Sequence, residues 1–192
     1  MKERPIQFKG EMVRAILEGR KSQTRRTKGL KDINEEPDCW KPFWFNDRGQ
    51  NLIVSWESVN RLVAPNIETK CPYGKKGHRL WVKETYRVFS GDEGTNGIFY
   101  KADGKFINSF LWKSSMFMPR WASRILLEIT DISVERLQDI SEKDATSEGV
   151  AFTKYLNANA RYHFMELWNK INGKCSWELN PWVWVINFRK IK

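Results

Sequence analysis

Histidine is nearly missing from this 192-residue sequence. His78 and His163 are too far apart to suggest a catalytic histidine pair or a histidine-rich metal centre. Cysteine is scarce as well. Cys39, Cys71 and Cys175 are odd in number, widely spaced and without a Cys-x-x-Cys pair, so the expectation is reduced thiols in a cytoplasmic setting. Those three and His78 could supply four zinc ligands, but no two share a short metal-binding spacing, and no metal or other cofactor is expected. A long apolar run, a signal peptide and a lipidation motif are all missing, which argues against a membrane partner. There is no internal repeat, low-complexity tract or linker, and the length suits one domain over 1–192.

Acidic residues are outnumbered, with 23 Asp and Glu against 33 Lys and Arg, giving a formal charge of +10. The excess is local. Residues 1–31 hold ten basic groups against three acids, whereas residues 32–69 hold three against seven. A field of this kind favours a polyanionic partner without conferring sequence specificity. Ten tryptophans and eleven phenylalanines add aromatic surface for either a core or base stacking.

The pattern of elements predicts an α+β chain. Pro5-Ile6-Gln7-Phe8 alternates as a first strand, and Met12, Val13, Ile16 and Leu17 recur at helical spacing over 11–18, with Gly19 as a left-handed cap. An irregular excursion is expected over 29–50. Strands follow at 51–56 and 79–86, the second placing Leu80, Val82 and Glu84 on one face, with a glycine-bounded basic turn at 74–77 between them. Another short strand is expected at 97–102, paired with its predecessor, and a long one at 124–135. Ser141 and Asp144 form a capping-box pattern for a short helix ended by Gly149, which leaves Glu148 at a helix terminus. A second major helix is expected over 155–172, and 182–188 reads as a strand buried on both faces.

The most informative stretch is Gly19-Arg20-Lys21-Ser22-Gln23-Thr24-Arg25-Arg26. Cations after a helix C-terminus gain roughly 0.3–1 kcal/mol from the dipole, so a solvated cap is one explanation. A second is the floor of an anion or nucleotide pocket, with Lys21, Thr24 and Arg26 on an extended segment. The pattern Gly-x-Lys-x-x-x-x-Arg, met at Gly19, Lys21 and Arg26, resembles the signature of the ASCH domain family, relatives of the PUA RNA-binding barrels. The blocks 71–85, 118–124 and 134–150 also resemble phage-type ASCH proteins. Residues 29–50 and 88–97 are covered least and have the character of insertions. The resemblance implies a small, mostly antiparallel PUA-like β-barrel with flanking helices.

Much of that family has a glutamate where this chain has Thr24. The Lys-x-x-Thr variant is similar to small ASCH enzymes that hydrolyse the acetyl amide of N4-acetylcytidine nucleosides. The resemblance implies a triad of Lys21, Thr24 and Glu148, the last placed by element order and the local Ala-x-x-Glu pattern; Glu84, beside Lys83, is the alternative acid. Such chemistry needs a base, a nucleophile and a proton donor for the leaving amine. Lys21, ordinarily near 10.4, can act as base only if burial or cations such as Arg20, Arg25 and Arg26 lower its pKa. Three functions of different class follow: a nucleoside amidohydrolase, an RNA-binding module and a metal-assisted ribonuclease. Arg20, Arg25, Arg26, Lys83, Glu84, Arg120 and Arg124 are candidate contacts to nucleoside or RNA, and Lys75 and Lys76 would extend an RNA surface. Oligomeric state stays open.

Overall fold

A computed structural model of the protein describes residues 2–46, 51–59, 66–90, 96–104, 112–150 and 159–192. In chain order its elements are β1 (Glu3–Gln7), α1 (Gly10–Leu17), β2 (Gln23–Arg26), α2 (Lys31–Glu35), β3 (Trp40–Asn46), β4 (Ile53–Ser58), β5 (Ile67–Lys70), β6 (Arg79–Lys83), β7 (Tyr86–Ser90), β8 (Asn96–Tyr100), β9 (Leu126–Arg136), α3 (Glu142–Ser147), α4 (Ala160–Asn172) and β10 (Trp182–Lys190). The class is α+β. None of the described helices is long and apolar enough to cross a membrane.

Five strands form the main sheet in the order β1-β6-β9-β10-β2, parallel between β1 and β6 and antiparallel elsewhere. Its interior is organised by β10. Trp184, Ile186 and Phe188 join one core with Ile6 and Phe8, Val13 and Ile16 of α1, and Leu80 and Leu127. Val183 and Val185, on the alternate positions, join a second core with Ala145 of α3 and Phe164 and Trp168 of α4. Period-two alternation therefore sends one apolar run into two cores, as expected of a strand buried on both faces.

Backbone pairing does not close this sheet into the expected barrel among the described residues; β1 and β2 are its two edges. The chain linking them is taken up by α1, whose apolar face packs with Ile6 and Phe8. A side chain spans the seam instead. Arg26 of β2 donates from Nη2 to the Gln7 carbonyl at 2.6 Å, with its guanidinium 5.0 Å from the centre of the Phe8 ring.

The expected irregular excursion at 29–50 is more regular than its composition suggests. It contains α2 and β3, and β3 starts a separate three-stranded sheet, β3-β4-β5. A register shift between Pro42 and Trp44 breaks the alternation there, leaving Phe43, Trp44 and Phe45 all exposed. The expected strand 79–86 divides after Lys83. β6 stays in the main sheet, while Tyr86 begins β7, which pairs with β8. Only the ends of the loop 88–97 can be placed, since 91–95 lie outside the described residues, as do 155–158 of the expected second helix. That helix starts at Ala160, where the side chain of Asn159 accepts from the Tyr162 amide.

Candidate active site

The site lies where α1 and α3 end against each other. At the end of α1, Gly19 takes a left-handed φ of 75°, and the amides of Arg20 and Lys21 both turn back to the Ala15 carbonyl at 2.8 and 3.0 Å. At the end of α3, whose N-cap Ser141 accepts from the Asp144 amide, Glu148 is the C-cap and Gly149 has a φ of 78°. Lys21 and Glu148 then meet as an isolated antiparallel bridge. Their approach needs glycine at 149, because a Cβ there would sit 2.7 Å from Cβ of Lys21 and 2.9 Å from Cβ of Ala15.

The backbone bridge brings the side chains together. Lys21 Nζ donates to Glu148 Oε2 at 2.6 Å, to the Glu148 carbonyl at 2.8 Å and to the Gln23 carbonyl at 2.8 Å, so its three donors all have acceptors. Neither side chain is solvated, with 0% of Lys21 and 3% of Glu148 exposed. Burial lowers the Lys21 pKa from its ordinary value; the carboxylate of Glu148 opposes that shift, and the charges of Arg26 and Arg25 add to it.

Thr24 follows one peptide after the Gln23 carbonyl that Lys21 holds. It is 3% exposed and makes no side-chain hydrogen bond among the described residues. With Glu148, Arg26, Tyr73, Trp168 and Asn172 it lines a cleft of ≈ 170 Å³. That is smaller than the roughly 300–1,000 Å³ of pockets that bury drug-sized ligands, so it has room for only one end of such a molecule.

Arg25 supports the pair from the other face of β2. Its Nε donates to Glu135 Oε1 at 2.7 Å, and its Nη1 reaches Gln23 Oε1 at 2.6 Å and Glu148 Oε1 at 3.3 Å. Gln23 is fixed in turn by Nε2 bonds to Asp144 at 3.1 Å and Asn187 at 2.8 Å. Burial raises the Glu135 pKa against the opposing pull of Arg25. Glu148 therefore sits between two cations, each fixed by further contacts.

Of the ten residues singled out from the sequence, the structure gathers Lys21, Thr24, Arg25, Arg26 and Glu148. Lys21 reaches the cleft through Glu148 without lining it, and the other five do not line it. Arg20 pairs with Glu18 and donates to the Gly149 carbonyl at 3.2 Å. Lys83 bonds the Met116 carbonyl and lies over Trp81. Arg120 is paired with Glu3 at 2.7 Å. Glu84 and Arg124 form a second, half-buried assembly with two bonds of 2.9 and 3.0 Å, Asp103 as a further partner and the Tyr100 ring 3.9 Å from the guanidinium carbon. Glu84 lines a neighbouring cleft with Lys9, Thr85 and Lys101.

Sequence reasoning passed over Gln23, Tyr73, Glu135, Gly149 and Trp168 as parts of the site. Gly149 had a signal, the glycine directly after Glu148, but it reads as a helix stop. Trp168 lies on the apolar stripe of α4 and reads as core, which its ring is. Among the described residues no three of His, Cys, Asp and Glu gather as metal ligands, and the three cysteines are free. No family model matches the chain, and neither a curated protein nor a solved structure matches it.

Proposed function

We propose that the protein hydrolyses the exocyclic amide of an N4-acylated cytidine or a related nucleoside, as its resemblance to the ASCH-type acetylcytidine amidohydrolases implies. One observation carries this reading: residues 127 positions apart form a buried Lys21–Glu148 ion pair, and Glu148 shares a cleft with the uncommitted hydroxyl of Thr24. A buried ion pair with no solvent can exchange its proton, because charge separation gains less there than in water.

Transfer of one proton along the 2.6 Å bond leaves Lys21 as an amine and Glu148 as a carboxylic acid. The amine takes the proton of the Thr24 hydroxyl, and the oxygen attacks the acyl carbon. Glu148 gives its proton to the departing exocyclic nitrogen, breaking the C–N bond and leaving an ester on Thr24. Water hydrolyses the ester, with its proton passing back through the pair. The balance is amide plus water to free nucleoside plus carboxylic acid.

RNA binding is favoured by a different observation. Met116, Phe117 and Trp121 are 63–74% exposed within six residues, beside Lys83 and Arg120, a mixture suited to stacking on bases. The metal-assisted ribonuclease gains no supporting contact among the described residues. Incubation of the protein with N4-acetylcytidine, following cytidine release, tests the first reading. Release abolished in both Thr24→Val and Lys21→Ala supports it, and no release by the folded wild type from N4-acetylcytidine, its 5′-monophosphate or N4-succinylcytidine refutes it.

A further inference from the structure

The charges of the Gly19–Arg26 motif are neutralised unevenly. Arg20 has Glu18, Lys21 has Glu148, and Arg25 has Glu135 and Glu148. Arg26 has no carboxylate partner among the described residues. Among the described residues its one hydrogen bond goes to the Gln7 carbonyl, and its Nε–H is buried without an acceptor. Burial lowers the pKa of Arg26, yet a guanidinium stays charged at neutral pH.

The rest of the cleft has the same bias. Its lining holds Arg25, Arg26 and Lys28 against one carboxylate, Glu148, which is already shared by Lys21 and Arg25. Lys28 is exposed on that lining. The Trp168 indole N–H is a second donor without an acceptor among the described residues, on a residue only 6% exposed. Unmet buried donors are rare in folded proteins and costly to keep, and these two belong to residues that line one cleft, with each nitrogen itself buried in the wall.

We propose that the ligand of this cleft carries an anionic group, a phosphate or a carboxylate, held by Arg26 with Lys28 beside it. The proposal deepens the amidohydrolase reading, since it makes the substrate a charged acyl nucleotide or a carboxylate-bearing acyl nucleoside in place of a neutral one. The cleft admits one end of such a molecule. The acyl end lies toward Thr24 and Glu148, and the anion stays with the cations of the lining. Arg26 is then the residue that sets substrate class, a role distinct from holding the β1–β2 seam.

Calorimetric binding to the full chain separates this proposal from the hydrolase reading, because it needs no turnover. Two pairs of probes identify the source of the anion: cytidine 5′-monophosphate against cytidine, and N4-succinylcytidine against N4-acetylcytidine. With a charged Arg bond at stake, the anionic member of one pair is expected to bind about 10- to 100-fold tighter. In Arg26→Gln that preference falls below about threefold, and in Lys28→Ala, at an exposed side chain that leaves the fold alone, it falls about two- to fivefold. Equal affinities within both pairs, a preference that survives in Arg26→Gln and Lys28→Ala alike, or no binding of any probe at millimolar concentration overturns the proposal. If the preference and its Arg26 dependence are found while no acyl compound is cleaved, the hydrolase reading fails and the anion site stands. Hydrolysis of N4-acetylcytidine with no charge preference gives the reverse.

Discussion

Replacing Lys21 by Met and Glu148 by Gln, singly and together, tests the contact on which the site depends. Breaking a buried ion pair by removing one partner costs about 3–5 kcal/mol, because the other charge is left in a poor solvent. Here the two losses differ in origin. In Lys21→Met the carboxylate still has Arg25 Nη1 at 3.3 Å, which offsets part of the penalty, but the carbonyls of Gln23 and Glu148 lose a charged donor. Each buried acceptor left unsatisfied costs about 1–3 kcal/mol, so the total stays at about 3–5 kcal/mol. In Glu148→Gln the amide oxygen still accepts from Lys21, but the countercharge is lost and the amide NH2 is turned toward the donor of Arg25, for about 3–5 kcal/mol. Urea denaturation at pH 7, followed by circular dichroism, reads these losses if the m-values are unchanged. The double variant is expected to fall short of the summed losses by at least about 1.5 kcal/mol. Additivity within about 0.5 kcal/mol would refute the contact, since residues that do not touch show no coupling.

Two further outcomes follow from the same geometry. Gly149→Ala puts a side chain at a left-handed φ and within 3 Å of both Lys21 and Ala15, so it is expected to cost about 2–4 kcal/mol in urea unfolding and to abolish any turnover; a loss below about 0.5 kcal/mol would mean that the bridge is not close-packed. In the alkaline range, the folded pKa of Lys21 lies below its unfolded value near 10.4, so the unfolded chain holds the extra proton between the two and stability gains with rising pH. Cys71, pushed up to about 11 by burial, and Tyr73, also raised by burial, act in the opposite sense, because the unfolded chain releases their protons first. Subtracting the pH–stability curve of Lys21→Met removes those shared contributions. The wild-type advantage is expected to grow with pH in the window below about 10.4, and a flat difference would show that Lys21 is not desolvated.

Local rules were legible in the sequence wherever the determinant was local. The apolar spacing of Val13 and Ile16 and the left-handed Gly19 gave α1 and its exit, Ser141 gave the cap of α3, and the run at 182–188 gave a strand with two buried faces. Lys21, Thr24 and Glu148 were legible as a group only through resemblance, since nothing in their spacing says that residue 148 returns to residue 21. What stayed hidden was long-range. The pairing of Glu148 with Arg25 as well as Lys21 depends on how α3 meets β2, and the neutralisation of Arg25 depends on Glu135 in β9. The strand at 40–46 was masked by its own bulge, which leaves successive aromatic residues exposed and destroys the period-two pattern. The division at 84–85 was masked for the opposite reason. Leu80, Val82, Glu84 and Tyr86 are all buried, so the alternation continues across a point where the pairing partner changes from β9 to β8.

The strongest reason to look for chemistry at this site is that stability alone does not account for it. A buried lysine and glutamate are matched or bettered in stability by a close-packed apolar pair of similar volume, and the surroundings here are apolar enough to hold one, with Phe8 beside Lys21 and Phe164 beside Arg25. The chain instead holds two cations against Glu148, fixes one with Glu135 and Gln23, and requires glycine at 149 to let the backbones meet. Among the described residues it also leaves the Thr24 hydroxyl uncommitted and Arg26 without a carboxylate partner in the adjoining cleft. A purely structural seam would have closed that cleft, since an apolar side chain in place of Thr24 would extend the core formed by Phe164 and Trp168. A Lys21→Met/Glu148→Leu variant should therefore recover most of the stability lost in the single variants while remaining inactive. Activity retained in that variant would make the pair scaffolding and move the search for the reacting groups elsewhere.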